Sequence, residues 1–278
     1  MKGTGLKGKG GRRVRKWVLL TLLVLLVAVV AACTAYLATY SPADATAIAA
    51  LAPDSEDGVQ VMRQAGMIVF RPAERIAATG FILYPGGKVG HEAYAPLLRE
   101  IARRGHLAVV VEVPFRLAIF ETDAAKRAMA AVPGIQRWVL GGHSLGGVAA
   151  SLQAKAQRKP VDASGSRTER TDAGPTEKAA VAGLVLLASY PTGDMSDLDL
   201  PVLSLRGTKD GLVTPEKWAQ YNPYLPAGAQ LVELPGGNHA QFGSYGPQKG
   251  DGLADVTAQA QWDWTAGLVS EFLLKLDK

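Results

Sequence analysis

The chain has 278 residues, 48% of them hydrophobic and 20% charged, with a formal net charge of +5. That hydrophobic share excludes wholesale disorder, and the length suits one large α/β domain or two small ones. The positive charge belongs to one end: Lys2, Lys7, Lys9, Arg12, Arg13, Arg15 and Lys16 precede every acidic residue, and without them the chain is slightly acidic, so nothing points to a nucleic-acid partner for the folded part.

Residues 1–16 read as a basic cytoplasmic tail. Residues 17–40, WVLLTLLVLLVAVVAACTAYLATY, carry no charge. They exceed the roughly 20 residues that a helix needs to cross the hydrocarbon, and the basic cluster before them should stay cytoplasmic. The reading is a transmembrane signal anchor with the rest of the chain outside the cytoplasm. Two others stay open. Val30-Ala31-Ala32-Cys33 resembles a bacterial lipoprotein cleavage box, in which Cys33 becomes lipidated, and ordinary signal-peptide cleavage would release the domain. Cys33 is the only cysteine, so an internal disulfide is excluded.

Residues 41–57 read as a tether and 58–278 as the folded domain. VQVMRQAGMIVFRP gives two β-rich runs parted by Gln64-Ala65-Gly66, the pattern of a hairpin. TGFILYPGG is an apolar run stopped by Pro85-Gly86-Gly87, YAPLLREIARRG has helical spacing up to Gly105, HLAVVVEVP is a buried strand, and DAAKRAMAAVPG a helix stopping before Pro133. RWVLGGH is a strand and LGGVAASLQAKAQ a helix. VAGLVLLASYP, LPVLSLRG and AQLVELPGG are three more apolar runs, and the tail carries an amphipathic helix with Leu268, Phe272 and Leu273 on one face. Strands alternating with helices predict an α/β fold: a mostly parallel, twisted sheet with helices on both faces. Ligands then bind beyond the carboxyl ends of the strands. The polar segment 155–180 reads as a flexible insertion. It follows the helix leading away from Ser144, so it belongs at the far side of the sheet rather than over the site.

Chemistry concentrates at Gly142-His143-Ser144-Leu145-Gly146, a G-x-S-x-G motif between an apolar strand and a helix. In that context the motif is a nucleophile elbow. A serine hydroxyl needs a base, and a carboxylate to orient that base. Of four histidines, His91 and His106 precede the elbow and His143 is pinned within it. His239, in LPGGNHAQFG, sits in a loop expected at the carboxyl end of the last strand. Asp210, in GTKDGLV, follows the preceding strand and is the favoured carboxylate, with Asp194 as its competitor. The order Ser144, Asp210, His239 is the nucleophile–acid–base order of such enzymes.

The elbow and these two loops resemble the α/β-hydrolase superfamily. YPGGKV, RWVLGGHSLGG, LVLLASYP and GGNHAQFGSYGPQ are more closely similar to a bacterial group of small, capless, often membrane-anchored α/β-hydrolases related to dienelactone hydrolases, over about residues 58–276. The resemblance implies a Ser144–Asp210–His239 triad. It also implies an oxyanion hole from the amide after the nucleophile and a loop after an early strand. Dienelactone hydrolases proper carry a cysteine nucleophile, so their substrate does not transfer.

Leu145 would supply one oxyanion amide, and Gly86 or Gly87 the other, because glycine lets the backbone approach closely. Lys88, Phe115 and Tyr190 are candidate pocket residues at the active-site ends of strands, each with ordinary solvation or packing as the alternative. His143 is expected to be structural and Glu112 an exposed strand-end carboxylate. No metal-ligand spacing or phosphate loop occurs, so neither metal nor cofactor is expected. The connection from VLLASY to PVLSL is too short for a cap domain. The reading is therefore a carboxylesterase-like serine hydrolase acting through an acyl-enzyme on small or medium acyl esters. An acyltransferase on a cell-envelope acceptor and a non-catalytic binding module with the same fold are the alternatives. Oligomeric state is not legible.

Overall fold

The computed structural model describes residues 9–53, 57–64, 66–74, 76–157 and 179–277. The chain divides after Tyr40 into two units. Most of the 155–180 segment lies outside the described residues, as do residues 1–8 of the basic tail.

The first unit is one helix, α1 (Lys9–Ala38), which starts ahead of the expected span and ends two residues before it. Its stretch Arg13–Ala38 is long and apolar enough to cross a membrane. Inside that stretch the hydroxyls of Thr21 and Thr34 donate back to the carbonyls of Trp17 and Val30, at 2.9 and 2.8 Å. Satisfying polar groups within the segment is what a lipid environment demands. Cys33 is exposed on this helix.

The second unit holds α2 (Ala45–Ala49), β1 (Val59–Gln64), β2 (Met67–Pro72), β3 (Thr79–Tyr84), α3 (Ala95–Arg103), β4 (Ala108–Val111), α4 (Ala124–Ala131), β5 (Arg137–His143), α5 (Leu145–Gln157), β6 (Ala180–Leu187), β7 (Val202–Gly207), α6 (Pro215–Tyr221), β8 (Gln230–Leu234) and α7 (Ala258–Leu276). The eight strands form one sheet in the order β1-β2-β4-β3-β5-β6-β7-β8. β1 and β2 make the expected hairpin, β2 runs antiparallel to β4, and every other pair is parallel.

Every residue of β3, β4 and β7 is buried. Parallel strands covered on both faces are mostly apolar, and the two polar side chains of β7, Ser204 and Arg206, are taken by Trp218 Nε1 and Glu233. Alternation sends Phe81 and Leu83 to one core with α3 and α7, and Ile82 and Tyr84 to the other with α4 and α5. On α7 the buried stripe is Trp262, Ala266, Val269, Phe272 and Leu273, the three-and-four spacing of a one-sided helix.

Residues 41–53, expected as a tether, pack on this unit instead. Ser41 bridges Val89, Ala47 is fully buried, and the buried Arg99 guanidinium donates to the carbonyls of Ala50 and Ala52. Asp57 then pairs with Arg99 and Arg103. Burial pushes its carboxyl up, but the Arg99 hydrogen bond, the Val59 N–H and the two cations outweigh that and leave it below the usual carboxylate value.

Candidate active site

The strand order makes Ser144 a turn residue. β5 runs to His143 and α5 begins at Leu145, leaving one residue to reverse the chain, and Ser144 does so at φ 51°. A non-glycine residue in the left-handed region costs of order 1–3 kcal/mol and persists only when its surroundings hold it there. Here the Ser144 N–H donates to Leu187 O at 3.0 Å, and its carbonyl accepts from Ser189 Oγ at 2.7 Å. The flanking glycines follow from this tightness. A Cβ on Gly142 would lie 2.2 Å from the Gly146 carbonyl, and one on Gly146 would lie 2.2 Å from Tyr84 O.

Asp210 and His239 lie beyond the carboxyl ends of β7 and β8. His239 Nδ1 is 3.1 Å from Asp210 Oδ2, with side chains 1% and 0% exposed. The other oxygen, Oδ1, accepts from Leu212 N and Val213 N at 2.8 and 2.7 Å, so backbone donors fix the carboxylate while it fixes the imidazole. Among the described residues His239 Nε2 is buried without a hydrogen-bond partner, Ser144 included. Such a contact is often long without substrate and tightens when substrate binds. Asp194, the competing carboxylate, is exposed and is taken by Ser196 N and Oγ.

The geometry separates the two loop glycines. Gly86 is buried and its N–H donates to Tyr94 Oη at 2.8 Å, which commits that amide. Gly87 is half-buried, and among the described residues neither its N–H nor that of Leu145 has a partner. A Cβ on Gly87 would meet Leu145 Cδ2 at 2.9 Å, so the two residues with free amides face each other.

His143 is 1% exposed, with Nδ1 2.8 Å from Tyr94 Oη and its ring centroid 4.6 Å from that of His239. Burial holds its pKa well below the ordinary histidine value, and the neighbouring His239 adds to the effect. Burial likewise raises the Tyr94 hydroxyl, so it stays protonated.

Of the pocket candidates, Phe115 is 57% exposed and packs edge-on against Phe120. The side chain that reaches Gly87 is instead Leu117, whose Cδ2 would lie 3.7 Å from a Cβ there. Tyr190 is half-buried and stacks on Tyr221 at 4.2 Å between centroids. The Lys88 N–H donates to Arg116 O at 2.8 Å. Glu112 is exposed. No group of three histidine, cysteine or acidic side chains able to hold a metal occurs among the described residues.

One residue without a sequence signal holds the site's loops together. Asp251 Oδ1 accepts from Gly211 N, Gly252 N and His239 N, at 3.1, 2.8 and 3.2 Å, and Oδ2 accepts from Ala240 N at 2.8 Å. It therefore bridges the loop of Asp210 to that of His239.

A mostly parallel eight-stranded sheet with a serine elbow, and a histidine–aspartate pair beyond the next strand ends, defines a hydrolase class. The chain belongs to the alpha/beta hydrolase family, whose sequence profile it matches over residues 80–263. In fold it is similar to esterase 2 of the planctomycete Thermogutta terrifontis with propionate bound, at 17% identity and TM-score 0.50, covering 80% of this chain and 96% of that one. The same esterase phosphoramylated by tabun gives 18% identity and TM-score 0.50, again covering 80% and 96%. TT1662 of Thermus thermophilus is 15% identical over 77% of this chain and 98% of its own, at TM-score 0.49. No curated protein sequence matches.

Proposed function

We propose that the chain is a serine carboxylic-ester hydrolase, held in a membrane by α1 with its domain outside the cytoplasm. The observation that carries the reading is the buried His239–Asp210 pair, its Nε2 without a partner among the described residues, with its ring centroid 4.6 Å from that of His143, the residue before the serine in the left-handed turn after β5. His239 Nε2 takes the proton from Ser144 Oγ, which attacks the ester carbonyl. Asp210 keeps the Nδ1 proton in place and offsets the charge of the imidazolium. The oxyanion lies between the amides of Leu145 and Gly87. The imidazolium protonates the leaving alcohol, and water, activated by the same histidine, releases the acid from the acyl-enzyme. With His143 neutral, no second cation opposes the imidazolium.

The test is labelling of the full chain in detergent with a fluorophosphonate, beside Ser144→Ala and His239→Ala. Labelling of the parent alone is the expected result. A folded parent that resists the reagent would replace the enzyme by a binding module. The propionate in the Thermogutta terrifontis esterase makes short acyl esters the first panel. For the anchor, resistance of the chain to alkaline carbonate extraction is expected, with loss of the domain to protease added outside the cell. Lipidation at Cys33 would appear as a mass increase removed in Cys33→Ser.

A further inference from the structure

The segment that joins α1 to the sheet touches both loops assigned to catalysis. The Ser41 N–H donates to Lys88 O at 2.8 Å, and its carbonyl accepts from Gly90 N at 2.9 Å. Residues 88–90 directly follow Gly87, so Ser41 fixes the far end of the oxyanion loop. Three residues on, the Asp44 N–H donates to Ser244 O at 2.9 Å, and Asp44 Oδ1 accepts from Ser244 Oγ at 2.7 Å. Ser244 lies five residues beyond His239 in the same loop, and its own N–H donates to Ala93 O at 2.7 Å. Asp44 Oδ1 also accepts from Ala47 N at 3.0 Å, capping α2, while the buried Ala47 and Leu51 anchor that helix in the domain.

We propose that Ser41–Asp44 is a clamp that sets the oxyanion loop against the histidine loop, with Asp44 as a positioning residue for the hydrolase reaction. The proposal rests on the ester-hydrolase reading. Its physical basis is that both loops are free of the sheet's hydrogen-bond ladder, so their spacing depends on what bridges them. Four hydrogen bonds made by two residues, Ser41 and Asp44, join two loops that carry an oxyanion amide and the base. Losing that bridge leaves each loop intact and their separation held by the Ser244 N–H bond to Ala93 O, which fixes it less tightly, and catalysis falls steeply with such displacements.

Ser244→Ala is the discriminating variant, because it removes the Ser244–Asp44 side-chain bond and spares the α2 cap. Full-chain protein in detergent is assayed on 4-nitrophenyl acetate, with active sites counted by a fluorophosphonate. Ser244→Ala and Asp44→Ala should each lower kcat roughly tenfold at nearly constant KM. Asp44→Asn keeps an acceptor oxygen and should restore it to within about twofold, and the double alanine variant should be no worse than Asp44→Ala. Hydrogen exchange supplies a readout independent of turnover: residues 86–90 and 239–244 should gain exchange together in Ser244→Ala. A kcat per active site equal to the parent's, or faster exchange confined to 44–49, would reduce Asp44 to a helix cap and overturn the clamp. A parent that is inert to the ester while both loops loosen together in Ser244→Ala would sink the hydrolase reading and keep the clamp as a structural bridge.

Discussion

Tyr94 Oη accepts the Gly86 N–H at 2.8 Å and lies 2.8 Å from Nδ1 of His143, so one buried hydroxyl ties the loop after β3 to the residue beside Ser144. On the proposed reading it leaves the Gly87 amide, not that of Gly86, for an oxyanion. Tyr94→Phe removes the hydroxyl and leaves a buried amide and a buried imidazole nitrogen without it. The expected cost is about 1–3 kcal/mol of stability, with kcat lowered as the Gly86-Gly87 turn loosens. Urea midpoints and kcat per titrated active site check both, and an unchanged kcat would separate Tyr94 from oxyanion positioning.

Asp251 holds the backbone of His239 as Asp210 holds its ring. Asp251→Ala strips four amides of their acceptor and should lower kcat by about 10- to 100-fold, with Asp251→Asn in between. The check is kcat with hydrogen exchange over 239–244. Fast exchange with full activity would show that the loop's order is irrelevant to turnover.

The two candidate carboxylates separate cleanly by substitution. Asp210→Asn should cost on the order of 10⁴ in kcat, as loss of the orienting carboxylate does in serine triads generally. Asp194→Asn, at an exposed site bonded to Ser196, should stay within about twofold. The reverse ranking would reassign the acid.

Gly146→Ala tests the packing of the elbow. Its Cβ would sit 2.2 Å from Tyr84 O and 2.5 Å from Pro85 O, backbone atoms that cannot swing aside. We expect a loss of about 3 kcal/mol or more, read as a lower urea midpoint. A midpoint near the parent's would mean that the strand-to-helix turn opens readily.

Stability should fall in acid. His143 is kept neutral by burial, with His239 adding to the effect, whereas in the unfolded chain it titrates near 6.5. Below that pH the unfolded state binds the extra proton. The contribution is therefore complete above about pH 6.5 and declines beneath it, by at most about 1.4 kcal/mol per pH unit, until the folded-state pKa is reached. Burial shifts His91 and His106 the same way. Urea midpoints between pH 7.5 and 4.5 should fall less steeply in His143→Gln, and parallel slopes would assign the acid sensitivity elsewhere.

The sheet was legible because most buried strands carry short apolar runs, as in FILY and AVVV, with glycine or proline within a few residues of the end. The positions of Ser144, Asp210 and His239 past the ends of β5, β7 and β8 were legible because each falls just past such a run. Alternation with helices placed those ends on one side. What stayed hidden depends on contacts distant in sequence. Asp251 lies in KGDGLAD, where nothing distinguishes a loop carboxylate that gathers four amides from a solvated one. Tyr94 opens an amphipathic helix and reads as core, and the choice between Gly86 and Gly87 turns on its hydroxyl. Helix α6 has a start signal in Thr214-Pro215-Glu216 but buries no residue, so it lacks the apolar stripe that reveals a short helix. Residues 41–53 are alanine-rich and almost uncharged, a composition shared by spacers and by small packed segments. The partners of Ser41 and Asp44, the burial of Ala47 and Leu51, and the Arg99 bonds to Ala50 O and Ala52 O separate the two.

The clamp also limits how this protein can be set free. Between the end of α1 at Ala38 and the first clamp bond at Ser41 lie only Thr39 and Tyr40. On the proposed reading, a protease cutting there would shed the domain with Ser41 and Asp44 still in place. A cut a few residues later, between Asp44 and β1, would shed the same sheet, with Ser144, Asp210 and His239, but leave Ser41 and Asp44 behind on α1. Two soluble products differing by a handful of N-terminal residues would then differ in turnover, and the position of the cut would set how fast the freed domain works.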